Sequence, residues 1–515
     1  MSIPLIYRED VAETFLVKRT QRIHHPYDED ISYFCHLSKN LWNQAHHLVY
    51  PEYKEFEYVQ PYEDIDATLN KKSYYKDKDG KVNPEYDNYH KLGGATAQQI
   101  LKVYHKSWIS FLNGIKDYWK SKKNGDNKDY TGMPKQPGYK RKDGEFLLIF
   151  TNKQIKFRES KDGSVWMTFP EKIDKKSSKL KDLKILLGNI NDLDPYLLKR
   201  LMNGKFDIVR IIPKGTGYWI EIVYDQEVLK NASDIYGLNK DTIMTIDLGV
   251  ENLVAITDNI GSQPIIVKGD VLKAENQWYN KRVSELNSIY DRQKIGCKLP
   301  KLDKDSSIKQ QHAGIRYITN KTEKNDKKLQ IVTENRNNFT MDANHKISRL
   351  IIERALEIRA GKVVFGKNPL WKQRIKIGKR NNQNFVNIPH SKLIDMAKYK
   401  GEEVGINVSD RTEEYTSKCS FLASESIERH DVYMGKRLHR GLFKCSKGID
   451  ISAYTGNKKK KIFDTINADV QGAYNTLRNV DPRFNVLDIM EGVAAHGLVP
   501  KRLNVSDLMS TSYKN

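Results

Sequence analysis

A multidomain α/β fold is what this sequence predicts, on three observations. Two amphipathic helical segments, 30–50 and 95–120, precede a stretch, 146–224, whose apolar residues alternate with period two. Strand and helix patterns alternate after residue 240, the order of an α/β domain split by inserts. A chain of 515 residues that is 38% hydrophobic can also bury about three or four separate cores.

The opening TFLVKRTQRI alternates like a short strand. Ile31, Phe34, Leu37, Leu41, Trp42, Ala45 and Leu48 then share one helix face. Ile100, Leu101, Tyr104, Trp108, Phe111, Ile115 and Tyr118 share another. Neither face can stay exposed, so the two helices are expected to pack together as an insertion. FLLIFTNKQIKF, SVWMTFP and FDIVRIIPKGTGYWIEIVYD read as strands, the last turning at Lys214–Gly217. The early strand is expected to join them in a β-barrel. Helices follow near 273–292, 326–359 and 389–400, with short strands at 362–365 and 405–408. The basic link 294–306 reads as a mobile loop, 416–464 as a polar insert and the chain from Pro482 as a poorly patterned tail.

Charge narrows the partners. Lys and Arg number 87 against 65 Asp and Glu, a formal net charge of +22, and such a surplus favours phosphate-bearing partners through counterion release. The 28 tyrosines suit base stacking as well as core packing. Four scattered cysteines, Cys35, Cys297, Cys419 and Cys445, imply no disulfide framework. No apolar run is long enough for a membrane span, and the N-terminus lacks a signal-peptide core. A soluble chain in a reducing interior is expected.

TIDLGVENLVAITD, Thr245–Asp258, is the stretch that carries chemistry. A buried strand delivers Asp247 at a Leu-Gly break, and Leu253–Ile256 reads as its hairpin partner. An RNase H-like fold presents a metal-binding acid in this way, though an ordinary strand ending in a turn acid reads the same. Two-metal phosphodiester cleavage needs several carboxylates around ions about 3.5–4 Å apart. In INADVQGAYNTLR, Asn467 can cap a helix and set Asp469 in its first turn, where an acid also suits the helix dipole alone.

The ordered motifs TIDLGVENL, NPLWKQ, NQNFVNIP, EEYTSKCSF, GKRLHRGLF and INADVQGAYN resemble the TnpB family, the insertion-sequence-encoded RNA-guided nucleases related to type V CRISPR effectors. The resemblance is dense over 242–478, and looser over TFLVKRTQRI, SKNLWNQA and MPKQPGYKRK. It implies a wedge-type β-barrel (1–25 and 135–235) and a helical recognition insert (26–134). It further implies a split RuvC domain of RNase H-like fold (240–415 and 466–480), a target-nucleic-acid-binding insert (416–465) and a tail (481–515). The implied activity is RNA-guided, Mg²⁺-dependent DNA cleavage beside a short flanking motif, with two ions. The implied partners are a guide RNA and double-stranded target DNA, bound by a monomer in a prokaryotic cytoplasm at the nucleoid.

Two departures from the family pattern matter. The usual glutamate after the strand VVF is missing, since Gly366-Lys367-Asn368 stand there. One branch of the family carries it instead just before YTSK, where Glu413 and Glu414 lie. Adjacent strand residues face opposite sides, so only one can reach a metal held with Asp247 and Asp469. Glu413 matches that branch better, and Glu414 is the alternative. If neither serves, the chain is a nuclease-inactive RNA-guided DNA-binding protein, a repressor. The second departure is zinc. Cys419 has Leu422 and Cys445 has Gly448 where relatives carry the second cysteine of each pair, so no structural zinc is expected. The resemblance assigns nucleic-acid contacts to Trp371, Lys372, Gln373, Lys379, Arg380 and Asn384 in a basic loop, and to Lys418, Arg437 and Arg440 in the insert.

Overall fold

A computed structural model describes residues 13–510 except 77–79, 82, 84, 124–131, 170–182, 293, 299–314, 320–322, 368–387, 440, 456–461 and 497. The chain forms two compact units, one over Leu16–Glu227 and one built mainly from Val228 onward.

In the first unit, strand β1 (Thr14–Pro26) leads into helix α1 (Glu29–Phe56), which Asp28 caps by accepting from the Ile31 N–H. Helix α2 (Gly94–Lys123) packs on α1, and Trp42 meets Tyr104 edge-on with ring centroids 5.0 Å apart. The period-two stretch forms β2 (Leu148–Thr151), β3 (Lys156–Glu159), β4 (Ser164–Thr168), β5 (Lys184–Asn189), β6 (Ile208–Lys214) and β7 (Gly217–Leu229). These strands do not make the single barrel expected. Among the described residues they form two sheets, β1-β7-β6-β2 and β3-β4-β5. The cause is a turn in FLLIFTNKQIKF, where the Gln154 N–H donates to the Thr151 carbonyl at 3.0 Å and sends the second half to another sheet. Leu148 and Ile220 of one sheet, Val165 and Ile185 of the other, and Phe34 and Trp108 of the helices share one core.

The second unit is ordered by a six-stranded mixed sheet. Its elements begin with β8 (Asn239–Leu248), β9 (Asn252–Asp258), β10 (Ile265–Lys268) and α3 (Asp270–Arg292). A hairpin of β11 (Lys294–Lys298) and β12 (Ile315–Thr319) occupies part of the link expected as a loop, and 299–314 lie outside the described residues. Then come α4 (Glu323–Glu357), β13 (Ala360–Gly366), α5 (His390–Glu403) and β14 (Asn407–Arg411). The insert contributes β15 (Gly435–His439), β16 (Leu442–Asp450) and β17 (Ile462–Asn467), a three-stranded sheet that runs into α6 (Ala468–Val480). The last strand, β18 (Lys501–Asn504), pairs in parallel with β10, so 481–515 is not the tail expected but supplies a sheet edge. Short segments and few apolar residues hid that strand from periodicity.

The large sheet runs β14-β13-β8-β9-β10-β18. Strands β8 and β9 are antiparallel, whereas β13 runs parallel to both β8 and β14. Both faces of β8 are covered, which is why it reads as a continuous apolar run. Met244, Ile246 and Leu248 pack with Ile347 and Ile351 of α4 and Leu393 of α5. Ile243 on the opposite face packs with Val470, Tyr474 and Leu477 of α6. The alternation therefore turns Asp247 toward α6.

Candidate active site

Three parallel strands bring their C-terminal ends to one edge of the large sheet. Asp247 lies near the end of β8, Gly366 ends β13, and Glu413 lies two residues past the end of β14. On β13, Val363 and Phe365 face α4 and α5 while Val364 faces α6, so position 366 opens toward α6 like Asp247. Register places Gly366 beside Arg411, and the Lys367 N–H donates to the Arg411 carbonyl at 2.8 Å. Glu413 is thereby carried over Gly366. A Cβ at Gly366 would stand 1.8 Å from Glu413 Oε1 and 2.5 Å from its Cδ. The Glu413 carboxylate thus fills the space a side chain at 366 would take. Glu414, expected on the strand with Glu413, lies in the following turn and is exposed.

Helix α6 delivers the third acid. Asn467 caps it, its side chain accepting from the N–H groups of Asp469 and Val470 at 3.0 and 3.2 Å. Close packing on β8 needs small residues: a Cβ at Gly472 would sit 2.9 Å from Asp247 Oδ2. Thr245 Oγ1 donates to the Ala473 carbonyl at 2.8 Å and pins the helix to the sheet one residue farther on. Asp469 accepts from Asn252 Nδ2 at 2.5 Å and pairs with Arg437 Nη2 at 2.9 Å. Gly249 makes the intervening turn possible, since a Cβ there would meet the Asn252 carbonyl at 2.4 Å. His390 Nε2, at the start of α5, is 2.9 Å from the Gly249 carbonyl and holds that turn from the other side.

The electrostatics follow from crowding. Burial raises the Asp247 carboxyl well above the ordinary range, and the charges of Glu413 and Asp469 add to it. Burial likewise pushes Glu413 up to about 7, while the hydrogen bond with Asp247 works in the opposite direction. Two buried carboxyls in such repulsion resist ionising together, so the pair tends to retain a proton. Oxygen-only donors in close repulsion suit a hard divalent cation, which would replace that proton. Among the described residues, however, no three His, Cys, Asp or Glu side chains stand ready-made to hold a metal ion. Asp469 is engaged by Arg437 and Asn252 instead.

A pH dependence follows. The folded chain keeps a proton at Glu413 up to about pH 7, whereas the unfolded chain releases it near 4.5. The native state binds more protons in that window, so this group's contribution to stability is full in acid and is lost as pH rises from about 4.5 to 7. Asp247, also raised, adds to the fall. Thermal unfolding with EDTA should show this decline, and Mg²⁺ should flatten it by favouring the ionised pair. Identical slopes with EDTA and with Mg²⁺ would count against the paired acids.

Hydrogen bonds fasten the insert. Glu425 is buried and accepts from the Ser420 and Met434 N–H groups at 2.6 and 2.8 Å. Asn475 of α6 donates to the carbonyls of Thr416 and Cys419 at 2.8 and 2.7 Å. Cys419 and Cys445 are buried, their thiols directed at the carbonyls of Glu428 and Lys447. Glu425→Ala strands the buried Ser420 N–H, at about 1–3 kcal/mol, and frees the part-buried Met434 N–H. Hydrogen exchange at Ser420 and Met434 should accelerate in that variant; unchanged protection would refute the fastening.

Of the residues expected to contact nucleic acid, Lys418 is exposed, with its ammonium 5.9 Å from the Tyr433 ring centre, and Arg437 is half-exposed. Trp371, Lys372, Gln373, Lys379, Arg380, Asn384 and Arg440 lie outside the described residues. The sequence reading missed Asn252 and His390, although both adjoin or lie within motifs it singled out, DLGVENL and NFVNIP. It also missed Arg502, which no pattern marks.

Fold and site together define a mixed α/β protein whose acids gather at the C-terminal ends of parallel strands, where open α/β sheets place their ligands. Residues 235–371 match the family model OrfB_IS605, described as a probable transposase. The match is confined to that stretch, which spans the strands and helices from just before β8 to just past β13. No curated protein matches the chain. Among solved structures, a Cas12f1–sgRNA–target DNA complex is similar at 13% identity and a TM-score of 0.50, over 87% of this chain and 82% of that one. A second, the mini-RNA-guided endonuclease CRISPR-Cas_phi3, has 11% identity and a TM-score of 0.41 over 91% and 92% of the two chains. CasPhi-2 (Cas12j) bound to crRNA has 10% identity and a TM-score of 0.37 over 90% and 98%. At such identities the first likeness is one of fold. Among the described residues no helix is long and apolar enough to cross a membrane.

Proposed function

We propose that the chain is an RNA-guided DNA endonuclease with an RNase H-like catalytic domain, in which Asp247, Glu413 and Asp469 hold two Mg²⁺ ions. The observation that carries this reading is Glu413, just past the neighbouring strand, lying over Gly366, in the space a side chain at that position would take. The order of the large sheet, with three antiparallel strands followed by two parallel ones, supports the fold assignment. The probable-transposase model matched by residues 235–371 and the net charge of +22 support nucleic-acid partners.

Bound Mg²⁺ would supply an activated water and neutralise charge on the cleaved phosphate. The chain's own residues prepare for it. Asp247 and Glu413 give up their shared proton. Gly472 leaves room for the Asp247 carboxylate beneath α6, and Asn252 orients Asp469. Sequence would be read by pairing between a guide RNA and the target strand, with the protein reading a short flanking duplex. Lys418 and Arg437, with Arg440 and the basic loop Trp371–Phe385, would track the backbone as positioning contacts. A guide-free transposase predicts purification without a defined RNA. Sequencing the RNA that co-purifies should give one structured species whose end varies with the target. A chain that purifies free of RNA would contradict the proposal.

A further inference from the structure

Beside Asp469 lies a cleft of about 330 Å³ whose lining includes Gly249, Asn252, Arg437, Asp469 and Arg502. Its two guanidinium groups come from unrelated places: Arg437 from β15 of the insert, and Arg502 from β18, beside Ile266 of β10. Glu251, also in the lining, pairs with Lys273 at 3.0 Å, which leaves Asp469 as the anion that Arg437 neutralises. Arg502 is exposed and has no ion-pair partner among the described residues. A small cleft flanked by two arginines and floored by one borrowed carboxylate fits a phosphodiester, which takes guanidinium groups through paired hydrogen bonds.

We propose that this cleft seats a phosphate of the strand to be cut, and that Arg437 exchanges Asp469 for that phosphate as it binds. The inference rests on the nuclease reading and adds a residue, Arg502, and a sequence of events to it. The Arg437–Asp469 pair is built for exchange: both side chains are partly exposed, at 50% and 26%, so the pair is weakly held. Arg437 leaving Asp469 Oδ1 frees a donor next to Asp247 and completes a set that is not ready-made in the free chain. Asn252 stays on Asp469 Oδ2 and keeps the carboxylate aimed. Competence for metal would then follow the arrival of substrate.

The test uses the full chain with its co-purified RNA. Mn²⁺ binding is titrated by paramagnetic resonance without DNA, and single-turnover cleavage is measured at saturating matched DNA. Arg437→Gln should bind Mn²⁺ up to about fivefold more tightly than wild type, the loss of a partly exposed ion pair. Arg437→Lys should return toward the wild-type affinity. Arg502→Ala should leave Mn²⁺ affinity and target binding unchanged and slow cleavage about tenfold or more, with Arg502→Lys intermediate. Wild-type Mn²⁺ affinity in Arg437→Gln would overturn the exchange. Wild-type cleavage by Arg502→Ala, or a loss confined to target binding, would overturn the seat. If the wild type itself never cuts, the nuclease reading fails, and the Mn²⁺ comparison still decides the exchange.

Discussion

Asp247→Ala is expected to lower cleavage of guide-matched DNA by about a thousandfold or more while RNA binding stays intact. The size follows from position. Asp247 is the acid coupled to both others, its charge opposed by those of Glu413 and Asp469, and it lies under Gly472 of α6. No neighbour can take its place, because Gly472 and Gly366 carry no side chain. The same residue costs stability when no cation is present, since its burial and its neighbours oppose its charge. Asp247→Asn, which keeps the shape, should therefore raise the melting temperature in EDTA above pH 7 while it abolishes cleavage. Retained cutting would remove Asp247 from the site. A lower melting temperature would contradict the crowding described for it.

Glu413→Gln is expected to cut cleavage by about a hundredfold to a thousandfold and to spare guided DNA binding, whereas Glu414→Gln should be near neutral. The two adjacent acids differ in place: Glu413 fills the gap over Gly366, and Glu414 is exposed in the turn beyond. A swap sharpens the test. Gly366→Glu alone forces its Cβ against the Glu413 carboxylate and should inactivate the chain. Adding Glu413→Gly removes that clash, places an acid at the usual family position and should recover part of the activity. Recovery would show that the two positions serve one space. If Glu414→Gln were the damaging change, the assignment would move by one residue.

The sequence exposed most of what positions this site, because the relevant signals are local. The β8–β9 hairpin, the two long helices of the first unit and the Asn467 cap all announce themselves by period or by capping chemistry. Asp247 could be placed on the α6 side only with the structure, since a strand covered on both faces shows no alternation to read. The contact between Glu413 and Gly366 was out of reach as well: it depends on a parallel register between positions 45 residues apart, such as Gly366 and Arg411. The end of helix α4 makes the same point. Gly361 looks like its cap, but Arg359 takes the left-handed conformation at φ 54°. Gly361 is needed instead because a Cβ there would lie 2.7 Å from the Asn239 carbonyl on β8. Arg502 sat in a segment with no periodicity, and only its pairing with β10 brought it to the cleft.

The central claim is guided, metal-dependent cutting at these three acids. Its most direct measurement is cleavage of DNA matched to the co-purified RNA, carried out by the wild-type complex in Mg²⁺ and again in EDTA. The account predicts cutting of matched DNA in Mg²⁺, none in EDTA and none of unmatched DNA in either. A complex that binds matched DNA tightly in Mg²⁺ and leaves it whole would contradict it, and would make the chain a guided DNA-binding protein instead.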